Sequence, residues 1–400
     1  MSRNQPTRRE FLRAAGAAGI LSLTGTAPQW TRCLAADALR KTDRILVMIQ
    51  LAGGNDGLNT FVPFQNDEYH KARPGIGLGA EAVLKLDDEL GLHPTLTGFR
   101  KLWDAGRLAI VDGVGYPHPD RSHFRSMDIW HSAQPDSIDP RTGWIGRVLD
   151  NAAQSGQPLE AAGIGIAKAP LAMTGRQTAS PTIQRLEEFR LLEPAALGFV
   201  PSDATSGDGD LGYLQQTAIT TLASAERLKS LPGKASSSSG YPSTGLGGHL
   251  HLVGQMIAAE LPTRVFFVSL DGFDTHAQQA PGHAALLAEL SGAVAAFVTD
   301  LDERGLSDRV LIAGFSEFGR RVKENGSLGT DHGAAASLFA ITPAGRGGRY
   351  GQMPSLTDLD DGDLKFTTDF RRVYATLLER WLGVPSEPVL GGKYEPLGFA

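Results

Sequence analysis

Residues Arg264–His276 read RVFFVSLDGFDTH, and the fold class follows from how this segment is built. Val265–Leu270 carries no charge, which is the pattern of a strand buried on both faces of a parallel sheet. The apolar run stops at Asp271-Gly272-Phe273-Asp274-Thr275-His276, which places two carboxylates and an imidazole within six residues. Carboxylates and imidazoles on a loop leaving a buried strand are donors suited to a divalent cation. Ligands of open α/β sheets collect beyond the carboxyl ends of the strands. Asp271, Asp274 and His276 are therefore candidate metal ligands.

The same arrangement recurs on either side. Arg44–Leu51 (RILVMIQL) empties into Ala52-Gly53-Gly54-Asn55-Asp56, where glycines allow a sharp turn and a close approach to a ligand. Asp56 is a candidate metal ligand there and Asn55 a candidate substrate contact. The GGNDG turn fits neither of the glycine spacings that cradle nucleotide phosphates. Arg309–Phe315 (RVLIAGF) ends in Ser316-Glu317-Phe318-Gly319-Arg320-Arg321, which offers Glu317 to a metal and Arg320 to an anionic ester. Gly329-Thr-Asp331-His332-Gly333 precedes an apolar strand, Ala336–Ile341. Adjacent Asp and His between glycines serve no core, so Asp331 and His332 complete the candidate ligand set.

A strand at Arg107–Val111 leads to Asp112 and then to His118-Pro-Asp120-Arg121-Ser122-His123, followed by a helix through Ser132. Ser122 stands where an N-cap belongs. It can cap the helix, or it can act as a nucleophile facing an anion held at the helix terminus. Arg121 is a further candidate for holding that anion. Ser126, one turn inside, is the weaker candidate. His93, beside the start of a helix at Thr95–Ala105, reads as structural. His249 and His251 are two apart on a helix and so point to different faces.

Helical patterns at 143 onward, 284–304 and 368–382 alternate with the strands. Helices are also expected at Ile183–Leu192, Tyr213–Leu231 and 249–261, and a short strand at Gly163–Ala167. This alternation predicts a three-layer α/β/α fold with a mostly parallel central sheet. Residues 42–400 are read as one domain, with a Ser/Gly-rich surface insertion near 232–248. Residues 1–41 read as an export signal. An Arg8-Arg9 pair precedes a short apolar run and Ala36-Asp37-Ala38, the pattern of the twin-arginine kind. That run is too short and too rich in Gly and Ala for a permanent membrane span. The single cysteine, Cys33, excludes an intramolecular disulfide framework, and a net charge of −6 gives no field for nucleic acid.

The twin-arginine start, LAGGNDGLNTFVP, RSHFRSMDIWHSA, LDGFDTHAQQ, SEFGRR, GTDHG and TDFRRVYATLLERWLG together resemble the family of exported bacterial proteins named domain of unknown function 1501. The resemblance spans nearly the whole chain after residue 41. It implies a link to the alkaline phosphatase and sulfatase superfamily, hence an alkaline-phosphatase-like fold with one or two divalent ions (zinc, manganese or calcium). Carried over, the superfamily order suggests Asp56, a nucleophile at Ser122, Asp274 with His276, and Asp331 with His332. No histidine follows His332, where the superfamily has its last ligand. The expected function is an exported, periplasmic, metal-dependent hydrolase of small phosphate or sulfate esters. Its expected partner is the twin-arginine translocation machinery. The alternative is a non-catalytic exported binding or scaffold protein that keeps the fold.

Overall fold

Ile45–Ala52 (β1) is buried along its length except at its last residue, because it lies at the centre of the sheet with strands on both sides. The computed structural model describes residues 44–138, 140–156, 159–178, 180–184 and 240–400. The other strands of this nine-stranded sheet are β2 (Leu108–Gly115), β3 (Glu160–Ile164), β4 (Thr182–Ile183) and β5 (Thr263–Asp271). They are followed by β6 (Val310–Phe315), β7 (Ala336–Ile341), β8 (Gly348–Gly351) and β9 (Thr368–Asp369). Their order across the sheet is β8-β2-β7-β6-β1-β5-β3-β4, with β9 also pairing β2.

β1 pairs in parallel with β5 and β6, opposing Met48 to Phe267 and to Ala313. β3 extends that parallel set beside β5, and β8 and β9 run parallel to β2. Among the described strands of this sheet only β7 is antiparallel to its neighbours, β2 and β6. Its inversion matters for the site. The loop entering β7, which carries Asp331 and His332, reaches the same sheet edge as the loops leaving β1, β5 and β6.

Alternate side chains of each strand enter opposite layers, as the two-residue period of a strand requires. On one face Val47, Ile49, Phe266, Val268 and Ile312 pack against α1 (Thr97–Asp104) and two helices that follow in the second half of the chain. Met48, Phe267, Leu311 and Ala313 face the other layer, built from α2 (His123–Ser132), α3 (Trp144–Gln154) and the C-terminal helix. The helices of the first layer are α4 (Gly245–Ala258) and α5 (Gln279–Glu303), and the C-terminal one is α6 (Phe370–Ala375). A π-helical stretch, Thr376–Leu382, continues α6. The three-layer arrangement and the mostly parallel sheet agree with the sequence reading.

Several boundaries move. β2 runs on past Val111 to Gly115, so Asp112 lies inside a strand rather than at its end. Its buried carboxylate is met there by Arg349 and by the Ser337 hydroxyl, and burial pushes its carboxyl up. α4 begins at Gly245, so the end of the expected surface insertion is helical, capped by the Thr244 hydroxyl on the Gly247 N–H. Ile183 belongs to β4 and not to a helix. The export signal, residues 185–192 of the helix expected at Ile183–Leu192, the helix expected at Tyr213–Leu231 and residues 232–239 of the insertion lie outside the described residues. α5 is long and apolar enough to cross a bilayer, but half of its most apolar window is buried. Leu287, Leu290, Val294 and Phe297 on its inner side belong to the core between sheet and helices.

Candidate metal centre

Four loops meet at the edge where β1, β5 and β6 end, and a glycine pair lets them come close. Gly53 has φ +118°, and a Cβ added there would lie 2.4 Å from the Asp274 backbone nitrogen. Gly54 has φ +78°, and a Cβ there would lie 2.3 Å from the Phe318 ring. No L-residue with a side chain fits either place without moving its neighbours.

At this junction three imidazoles converge on one carboxylate oxygen. His276 Nε2 lies 2.9 Å from Asp274 Oδ1, His332 Nε2 3.1 Å and His123 Nε2 3.4 Å. His276 Nε2 and His332 Nε2 are 2.9 Å apart. Each of the three rings uses its other nitrogen to donate a hydrogen bond. His332 Nδ1 donates to the Arg121 carbonyl at 2.8 Å. His123 Nδ1 donates to Glu317 Oε1 at 2.9 Å, and His276 Nδ1 faces Asp331 Oδ1 at 3.4 Å. Because a carbonyl or carboxylate only accepts, these partners place the proton on Nδ1 and leave Nε2 as a lone pair. The Phe318 ring packs against His123 and His332, with centroids 4.9 and 4.6 Å away, and fixes both ring planes.

These donors fit a divalent cation. His123 Nε2 is buried and has no hydrogen-bond partner. Ligand atoms of His123, Asp274 and His332 all lie within 4.8 Å of one another. Two atoms bound tetrahedrally to one ion at about 2.0–2.2 Å stand about 3.3–3.6 Å apart, close to the separations above. Lone pairs at such distances repel unless positive charge lies among them. Rings oriented through Nδ1 by carboxylates or carbonyls are also the usual surroundings of metal-binding histidines. Burial pushes the Asp274 carboxyl up, but the hydrogen bond and charge of Arg320 outweigh this and hold it at about 2. It is a carboxylate at neutral pH. A hydrogen bond from Asn325 keeps Asp331 below the usual carboxylate range, assisted by His276.

Of the residues expected at the site, Asp274, His276 and His332 are brought together, with Asp331 behind His276. The others need correction. Asp56 does not reach the cluster. It is fully buried, and its Oδ2 accepts from Arg73 at 2.6 Å and Gln279 at 2.5 Å. Burial raises its carboxyl, but Arg73 more than compensates and the net shift is downward. Glu317 is buried and accepts from His123 and the Gly53 N–H, so it orients His123 and does not join the cluster itself. Asp271 is exposed and accepts from its neighbour Ser269.

The three expected substrate contacts are occupied too. Asn55 is buried, and its Oδ1 accepts from Thr60 and His283. The Arg121 guanidinium pairs with Asp361 and Asp363. Arg320 is wholly buried and donates to the carbonyls of Gly53, Gly54, Phe273 and Thr330 as well as to Asp274. It clamps the loops together and has no face for a ligand.

Ser122 is exposed at the N-terminus of α2, and its hydroxyl makes no capping bond. Ser126 is buried and donates to the Asp120 carbonyl, a structural role. His249 and His251 stand apart from the cluster, His251 against Tyr241 and Gln255. His123, which sequence reasoning missed, is a candidate ligand and directly follows the candidate nucleophile. Beside the cluster opens a cavity of about 440 Å³ whose walls include Tyr116, Arg121, Phe318 and Phe366.

The family described as "Protein of unknown function (DUF1501)" matches residues 222–391. That span holds Asp274, His276, Glu317, Arg320, Asp331 and His332. No curated protein matches the chain. Among solved structures, the PsFucS1 sulfatase from Pseudoalteromonas sp. is similar at 13% identity, over 88% of this chain and 71% of its own, with a TM-score of 0.39. A protein in the alkaline phosphatase superfamily from Vibrio parahaemolyticus matches at 10% identity over 88% and 69%, with a TM-score of 0.38. The zinc complex of the C-terminal periplasmic domain of EcEptC from Escherichia coli matches at 10% over 75% and 73%, with a TM-score of 0.34. Likeness at this level carries no argument about activity, which has to come from the cluster.

Proposed function

We propose that this chain is an exported, metal-dependent hydrolase of phosphate or sulfate esters, with a divalent ion held by His123, His276, His332 and Asp274. The observation that carries the reading is the convergence of three Nδ1-tethered imidazoles on Asp274 Oδ1. A donor set rich in imidazole favours zinc over manganese or calcium. The ion, when bound, supplies Lewis-acid polarisation of an ester oxygen.

The protein's own residues supply the rest. Ser122 presents an uncommitted, exposed hydroxyl next to His123 and is the candidate nucleophile. Glu317, Asp331 and the Arg121 carbonyl keep the three rings in their tautomer and orientation. The 440 Å³ cavity sharing Phe318 with the cluster is the place for the organic part of a substrate. Export through the twin-arginine machinery to the periplasm belongs to the same proposal.

The second reading is an exported binding or scaffold protein. What favours it is Arg320, whose guanidinium donates to the same Asp274 oxygen on which the imidazoles converge and so competes with an ion for it. One experiment separates the two. Elemental analysis of the purified chain is followed by hydrolysis assays with p-nitrophenyl phosphate, bis-p-nitrophenyl phosphate and p-nitrophenyl sulfate. Bound zinc or manganese with turnover that vanishes in Ser122→Ala supports the hydrolase. Bound metal without turnover of any ester supports the binding protein, and a chain that takes up no metal removes the metal centre from both.

A further inference from the structure

Gln279 opens α5 and is 1% exposed. Among the described residues, its side chain is the one that reaches both ligand loops and the Asp56–Arg73 pair. Its Nε2 donates to Asp56 Oδ2 at 2.5 Å. Its Oε1 accepts from the Thr330 hydroxyl at 2.6 Å and from the Thr275 hydroxyl at 3.2 Å. Thr275 stands between Asp274 and His276, and Thr330 immediately precedes Asp331 and His332. The backbone adds two more ties. The Thr330 N–H donates to the Thr275 carbonyl, and the Gln279 N–H to the Leu328 carbonyl. On the far side, Arg73 fixes Asp56 with its own guanidinium also anchored on the Val322 and Arg321 carbonyls.

We propose that Gln279 is a positioning residue for the metal centre: it sets the separation between the loop carrying Asp274 and His276 and the loop carrying Asp331 and His332. The inference rests on the metal-centre reading above. The chemistry of the position is specific. One end of the side chain must donate to a carboxylate while the other accepts from two hydroxyls, and of the uncharged side chains of this length only an amide does both. A glutamate in its place would set a second carboxylate against Asp56. Methionine would keep the volume and lose every bond. Thr330→Val would remove the donor on the loop carrying Asp331 and His332 and leave the bond from Gln279 to Asp56 in place.

The test is titration of the metal-free chain with Co2+, read by visible absorption, alongside the thermal midpoint of each metal-free variant. Supporting residues of metal ligands contribute about 10–100-fold in affinity. Gln279→Met is expected to raise the Co2+ Kd by that factor and to change the band shape in its folded fraction. Gln279→Glu is expected to do the same, and Thr330→Val to do so in part. A weakened Kd and altered spectrum in Thr330→Val at a near-wild-type thermal midpoint is what a merely structural role would not produce, and it keeps the test decisive if the Met variant does not fold. A Gln279→Glu variant with wild-type Kd and spectrum overturns the inference, and so does a Thr330→Val variant with both unchanged. Wild-type protein that takes up no Co2+ overturns the metal centre itself.

Discussion

Asp56 and Asp274 both follow central parallel strands at one edge of the sheet, and the chain answers their charges in opposite ways. Asp56 is sunk beneath the loops and meets a guanidinium that is itself wholly buried. Asp274 lies at the surface, half exposed, with the imidazoles of His276, His332 and His123 around it. A buried carboxylate with a fixed cation is a building element, because neither partner can leave without stranding the other. A half-exposed carboxylate among imidazole nitrogens is open to a ligand. Asp274 also meets a buried arginine, Arg320 at 2.8 Å, so what separates the two aspartates is access: one is sealed in and the other stays half exposed beside three imidazoles.

The contrast is most open to test at Arg73. Replacing it by methionine strands Asp56 in the interior and is expected to destabilise the fold by about 3–5 kcal/mol, read by urea unfolding. A variant as stable as wild type would show that the pair is not structural. Next in size is a pH effect remote from the cluster. Burial holds His131 at about 4, below the ordinary 6.5 of the unfolded chain. The unfolded state therefore takes the proton first. Stability from this group is complete above pH 6.5 and is lost as pH falls towards 4, on the order of 3 kcal/mol. His93 and His283, also held at about 4 by burial, act in the same direction. The thermal midpoint should drop through that window and drop less in His131→Asn.

At the other pole, Asp274→Asn is expected to weaken Co2+ or Zn2+ binding by more than about 100-fold, beyond what supporting residues contribute. Its thermal midpoint should stay near wild type, since Arg320 keeps its four carbonyl partners. Equal losses of affinity and stability would make Asp274 a second Asp56. Glu317→Gln should cost less, about 10–100-fold in affinity, because it only orients His123. The smallest effect belongs to Asp271→Asn, expected to leave both affinity and stability unchanged, as befits an exposed carboxylate bonded to its neighbour Ser269.

Much of the fold was legible because strands buried on both faces leave uninterrupted apolar runs. Val265–Leu270 and Val310–Phe315 are strands as read, and the loops after them bring Asp274, His276, Glu317 and Arg320 to one edge. The candidate site was legible only where its residues cluster in sequence, as in Asp274 with His276 and Asp331 with His332. His123 was missed because its partner Glu317 lies 194 residues away and nothing local marks it. Beside it, Ser122 drew the attention that a helix start always attracts. Asp56 was misread for the mirror-image reason. Its counter-charge, Arg73, lies 17 residues on, in a stretch that has the composition of a surface loop, and no local pattern reveals that it is buried. Arg320 and Arg121 look like anion holders in sequence, because sequence does not display the carbonyls and carboxylates that already engage them.

The Arg320 clamp also says when the cluster acquires its shape. One guanidinium holds the carbonyls of three separate loops, and those bonds involve only protein atoms. The entropic cost of ordering the loops is therefore met while the chain folds, and an incoming ion has little left to organise. Binding should then resemble a key entering a finished lock, with a small heat-capacity change, rather than the coupled folding and binding of a zinc finger.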